Sequence, residues 1–117
     1  MIYYIMKKEV DNMINKYSYR NNKPVLDKEG VIGTRFFENK KIQLVHIDIK
    51  PFCELKAHKS DVDALLYVLS GTVEVEIGNE VLKLEKDELV EFPKDVFHSV
   101  KNIGEKEAKV LVMKILG

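Results

Sequence analysis

Three histidines, one cysteine and a short acidic loop are the residues of this 117-residue chain best equipped for chemistry. Near neutral pH an imidazole can ligate a metal, exchange a proton or hydrogen-bond a ligand. His58 stands at the end of an apolar run, just ahead of the polar loop Lys59-Ser60-Asp61-Val62-Asp63. His98 follows Phe92-Pro93-Lys94-Asp95-Val96-Phe97, which reads as a strand end and a turn. The two lie about forty residues apart, so only the fold can bring them together. His46, inside Leu44-Val45-His46-Ile47-Asp48, has no partner motif around it and reads as a sheet residue. Cys53 is the only cysteine and reads as a small hydrophobe rather than a nucleophile. No nucleophilic triad, glycine-rich phosphate loop or basic nucleic-acid patch is present.

The elements that must position these residues are short strands. From Val31 onward, runs rich in Val, Ile, Phe and Leu recur about every ten residues, separated by turn residues. Strands are expected at Ile32–Phe37, Ile42–Ile49, Cys53–His58, Ala64–Leu69, Thr72–Ile77, Glu80–Leu84, Glu88–Phe92, His98–Asn102 and Ala108–Leu116. Ser70-Gly71 ends one apolar run, and Gly78-Asn79 between two alternating runs is a hairpin signal. The expected fold is an all-β antiparallel sandwich or barrel over residues 31–117. Residues 1–30 are expected to form an extension packed on it. Within them Val10, Met13, Ile14 and Tyr17 have the spacing of one helix face, and Ser18–Gly30 reads as a polar surface segment.

Composition narrows the functions. Lysine plus arginine balance aspartate plus glutamate at 19 each, so no net field draws the chain to nucleic acid or an anionic membrane. A lone cysteine allows no internal disulfide, and no run approaches the ~20 apolar residues of a membrane helix. Met1–Met6 is apolar but lacks a basic leader and a cleavage site. A cytoplasmic protein is the expectation. The stretches Ala64–Leu69 and Val110–Leu116 look apolar on both faces, which predicts a homodimer with one face of each covered by a second copy, the N-terminal segment being the alternative cover. Each large side chain so buried would contribute ~1.5–3 kcal/mol.

Two spaced motifs give the chain a resemblance to small single-domain cupins. His58 matches the first histidine of that superfamily's first motif, and Tyr67-Val68-Leu69-Ser70-Gly71 resembles its closing Tyr-Val-Leu-x-Gly. Pro93, His98 and Asn102 match the second motif in register. The resemblance covers residues 31–116 and implies a double-stranded β-helix, the jelly-roll barrel. The departures are specific. Phe52, Asp87 and Asp95 stand where the motifs have glycine. Ser60 replaces the second histidine, and Ala64 replaces the glutamate. Of the family's metal ligands only His58 and His98 remain. Asp63, one residue from the lost glutamate, would complete a set of two histidines and a carboxylate if a bulge turned it inward.

The resemblance therefore implies a binding protein with a degenerate metal site. Its barrel would hold a small organic molecule, such as a sugar or a carboxylic acid, among His58, Ser60, Ala64, Phe92, Phe97 and His98. Either no metal or a weakly held Zn, Mn, Fe or Ni is expected. The alternative is a metal-dependent oxygenase or isomerase using His58, His98 and Asp63. A third reading is metal-free acid–base catalysis with His58 or His98 as base and a tyrosine as acid, although no tyrosine is placed by motif.

Overall fold

Period-two alternation of apolar and polar residues sets the architecture, because successive side chains of a strand point to opposite faces. In Val73–Ile77 the valines are buried and the glutamates exposed. In Ala64–Ser70 the residues Ala64, Leu66 and Val68 are buried, while Leu65, Tyr67 and Leu69 between them are half-buried. The computed structural model describes residues 14–117. Its strands are β1 (Leu26–Lys28), β2 (Val31–Glu38), β3 (Ile42–Ile49), β4 (Glu54–His58), β5 (Ala64–Ser70), β6 (Val73–Ile77), β7 (Glu80–Leu84), β8 (Leu89–Phe92), β9 (His98–Asn102) and β10 (Ala108–Ile115). The nine strands expected from the sequence correspond to β2 through β10; three have the expected bounds and the others differ by one residue at one end or both.

Two antiparallel sheets result. One has six strands in the order β1-β2-β3-β10-β5-β8, the other four in the order β4-β9-β6-β7. The ladders are separate rather than one closed barrel, and the inner faces share one core. Ile49, Leu66, Val68 and Val110 from the larger sheet, with Val73, Val75 and Val100 from the smaller, are fully buried. This is the all-β antiparallel arrangement that the strand pattern predicts, and it fits the jelly roll that the resemblance implies.

The turns explain the unusual residues at the glycine positions. Gly71 has φ +84°, and a Cβ there would lie 2.9 Å from the Cα and Cβ of Ala108, so no other residue fits. Phe52 (φ 62°), Asp87 (φ 67°) and Asp95 (φ 62°) adopt the same left-handed conformation. Each is tied by its own amide: Phe52 N–H donates to the Asn102 carbonyl (3.0 Å), Asp87 to Val68 (2.8 Å) and Asp95 to Ser60 (2.8 Å). These turns keep the backbone that glycine would relax. Asn102 is fully buried, and its Nδ2 donates to the carbonyls of Ile49 (2.9 Å) and Lys106 (2.8 Å). Its Oδ1 accepts from Gly104 N–H (2.9 Å), so one side chain joins β3, β9 and the turn into β10.

The N-terminal segment holds an element the sequence did not announce. Leu26 pairs with Gly33, and β1 extends the larger sheet by an edge strand. A three-residue strand with a single apolar residue carries no periodic signal. Before it, Tyr19–Asn21 forms one 3-10 turn. The Tyr19 ring stacks on His46 at 3.6 Å with the planes 1° apart, which docks this segment on the outer face of β3. The expected helical face over Lys7–Tyr17 falls mostly outside the described residues, namely at Val10 and Met13. Its remainder, Ile14 and Tyr17, is irregular and exposed. No helix among the described residues is long and apolar enough to cross a membrane.

Candidate ligand-binding site

The register of β4 against β9 aims the first histidine. Leu55 lies opposite Val100, and His58 lies opposite His98, so two residues of β4 face one residue of β9 between them. In an unbroken ladder, Leu55 and His58, three apart, would point to opposite faces. The extra residue of the bulge brings both to the inner face. A bulge is therefore present beside the site, but it lies before His58 and not at Asp63.

The two imidazoles meet edge to face with centroids 4.4 Å apart, and His98 stacks on Phe92 at 4.0 Å. His98 is buried and His58 is exposed at the mouth. His58 Nδ1 lies 2.9 Å from the Lys56 carbonyl, and His98 Nδ1 lies 3.2 Å from the Val96 carbonyl. A carbonyl only accepts, so each Nδ1 carries the proton and each Nε2 keeps its lone pair. Burial pushes the His98 pKa below the ordinary imidazole value. The nearby His58 and Lys114 act in the same direction, against the Val96 hydrogen bond. The protonated form of the buried His98 ring is therefore disfavoured.

Both histidines line a cavity of about 270 Å³ between the sheets. Val45, Ile47, Ala64, Phe92 and Val112 form apolar walls, and Ser60 reaches the rim. Ser60, Ala64 and Phe92 are among the residues that line the cavity. Phe97 does not line this cavity; it is 56% exposed on the surface, where Lys59 Nζ sits 5.2 Å from its ring. As the neighbour of inward-facing His98, it has the opposite orientation. Asp63 is also outside. It precedes the inward Ala64 without a bulge, and its carboxylate accepts the Lys94 amide at 2.9 Å.

Those placements decide the fit to a metal. Among the described residues no group of three His, Cys, Asp or Glu side chains is arranged to hold an ion. The Nε2 atoms of His58 and His98 are one protein ligand short of a catalytic centre, which uses three. Among the described residues, the side chains at this cavity do not fit a resident metal.

Three polar lining residues escaped the sequence reading: Arg35, Gln43 and Lys114. Alternation could have found them. Arg35 is in phase with buried Val31 and Gly33, Gln43 with Val45 and Ile47, and Lys114 with Val110 and Val112. The stretch Val110–Leu116 was expected to be apolar on both faces, yet its inner face ends in this lysine. Gln43 Nε2 donates to the Glu38 carboxylate, which fixes the amide at the cavity edge. His46 is buried on the other face of β3. There, Asp48 lies 3.8 Å from its Nδ1 and binds Lys109 at 2.7 Å. It packs the outside of the sheet and takes no part in the cavity.

Known proteins share this arrangement of strands. The structure of KdgF from Halomonas sp. superposes with TM-score 0.78 at 15% identity, over 88% of this chain and 95% of that one. An RmlC-like cupin from Shewanella frigidimarina gives TM-score 0.76 at 14% identity, covering 89% and 93%. The predicted oxalate decarboxylase of Thermotoga maritima gives 0.76 at 15%, covering 88% and 100%. At these identities the likeness is one of fold. No curated protein sequence matches the chain. The cupin-domain family model matches residues 45–114, from the inner wall of β3 to Lys114. With well over half its length matched, and with that double-sheet architecture, the chain belongs to the cupin family.

Proposed function

We propose that this protein binds a small organic molecule in the cavity between its sheets and needs no metal to do so. The observation that carries this reading is the cavity itself. Its walls are apolar, and His58, His98 and Ser60 converge on it. A few placed polar groups among apolar walls are what small-molecule sites use to hold and orient a ligand. The volume lies just below the ~300–1,000 Å³ of drug-sized pockets, which favours a compact ligand. The chemistry available at the mouth is hydrogen bonding through two lone-pair Nε2 atoms.

Native mass spectrometry tests it on protein purified without chelator and again after EDTA. The expected result is a small organic adduct that survives EDTA and disappears in the double variant His58→Ala, His98→Ala. Stoichiometric metal whose removal releases the adduct would reject the metal-independent reading.

A further inference from the structure

The inner face of the larger sheet breaks its own pattern at the cavity. That face is mainly apolar until Arg35 on β2, Gln43 on β3 and Lys114 on β10, all in phase with core residues, and two of these three are cations. Together with His58 and His98 the two cations make four basic side chains lining the cavity, and no aspartate or glutamate lines it. Among the described residues neither Arg35 nor Lys114 has a carboxylate partner within salt-bridge distance. Glu38, close by, is held by Gln43. Lys114 is half-buried. A cation drawn partly out of water beside apolar walls is costly unless an anion compensates it.

We propose that the cavity takes a small organic carboxylate, its anionic end between Arg35 and Lys114 and its apolar body against Val45, Ile47 and Val112. The assignment rests on the ligand-binding role proposed above and adds the class of ligand. The planar guanidinium fork of Arg35 matches the two oxygens of a carboxylate, and Lys114 adds a point charge. His58 and His98 line the same cavity, where Nε2 of a neutral ring can accept from a hydroxyl or amide of the ligand. A phosphate ester would need a richer cradle of donors than one fork and one ammonium, typically a glycine-rich nest of backbone amides. No such loop lines the cavity.

The test uses the full-length protein and matched probes: butyrate, hexanoate and benzoate, each beside its uncharged amide, with phenyl phosphate as a separate arm. Binding is followed by chemical-shift titration of backbone amides. The expected result is that at least one acid binds about tenfold or more tightly than its amide, the scale of a hydrogen bond to a charged group. Arg35→Met and Lys114→Met, which keep much of each aliphatic stem, should each remove most of that preference. Lys114→Arg should retain it. Lys101→Met on the exposed side of β9 changes net charge equally and should leave the preference intact. Thermal melts of every variant confirm that it is folded.

If acids and amides bind equally, at cavity residues, the carboxylate assignment is overturned while the binding role stands. If phenyl phosphate outcompetes benzoate by tenfold or more, the ligand class is likewise overturned. If no probe moves cavity resonances, both readings fall.

Discussion

His98 shows how one side chain links the site to the stability of the whole protein. Its Nδ1 proton is committed to Val96 and its ring lies on Phe92, so protonating Nε2 places a charge in a mostly apolar setting. Burial, with His58 and Lys114 nearby, lowers its folded-state pKa. His46 is also lowered, again chiefly by burial and in spite of Asp48. A histidine lowered in the folded state binds its proton more readily when unfolded. The unfolded chain then holds more protons below its ordinary pKa of about 6.5, so stability rises with pH through that window. The contribution of both residues is complete above about pH 7 and declines as pH falls through 6.5 towards the folded-state values. The melting temperature should therefore drop between pH 7.5 and pH 5.5. The drop should be smaller in His98→Gln than in the parent. Calorimetry across that range checks it, and a melting temperature independent of pH would remove burial as the dominant influence.

At the scale of the element, the turns and the bulge do the positioning. The bulge in β4 sets His58 opposite His98, and the left-handed turns at Phe52, Asp87 and Asp95 fix where β4, β8 and β9 begin. Three of those turns carry side chains in a conformation that costs an L-residue ~1–2 kcal/mol. Phe52 is the clearest case, since it is bulky and 64% exposed and so gains little packing in return. Phe52→Gly should stabilise the fold by roughly 0.5–1 kcal/mol, the relief being partly offset by glycine's greater freedom when unfolded. Urea denaturation should show a higher midpoint with an unchanged slope. Asp87→Gly should gain less, because it also removes the acceptor of the Tyr67 hydroxyl at 2.8 Å.

At the scale of the whole molecule, the described residues leave a broad apolar surface to account for. Leu65, Tyr67, Leu111 and Met113 lie side by side on the outer face of β5 and β10, half-buried, with Leu89 of β8 exposed at the edge. The charged pair Asp48–Lys109 is already satisfied at one end of this face, and the chain carries no net charge to oppose self-association. We propose that a second copy packs there about a two-fold axis, each patch meeting its own equivalent. Light scattering should give a dimer mass, and Leu111→Glu should shift it to monomer without loss of secondary structure. A monomeric parent protein at micromolar concentration would dismiss that interface.

Much of the fold was written locally. Val73–Ile77 alternates so cleanly that its strand, its buried face and its hairpin at Gly78 all follow from period two. The same rule names Arg35 and Lys114 as inward residues once the buried phase of their strands is known. It left β1 hidden, because three residues with one leucine have no period and depend on pairing with Gly33. It also could not fix the orientation of His58, where an odd spacing from Leu55 is corrected by a bulge. Asp63 and Phe97 went the other way. Each is near the site in sequence, and each is one step out of phase with an inward neighbour, Ala64 or His98. What the sequence determined by itself was the set of strands from β2 onward, their sidedness and the place of each histidine within its own motif, because those are properties of neighbouring residues. Which side chains share a cavity was decided only by register between strands distant in sequence, since a shift of one residue there exchanges the face that meets the ligand for the face that meets water.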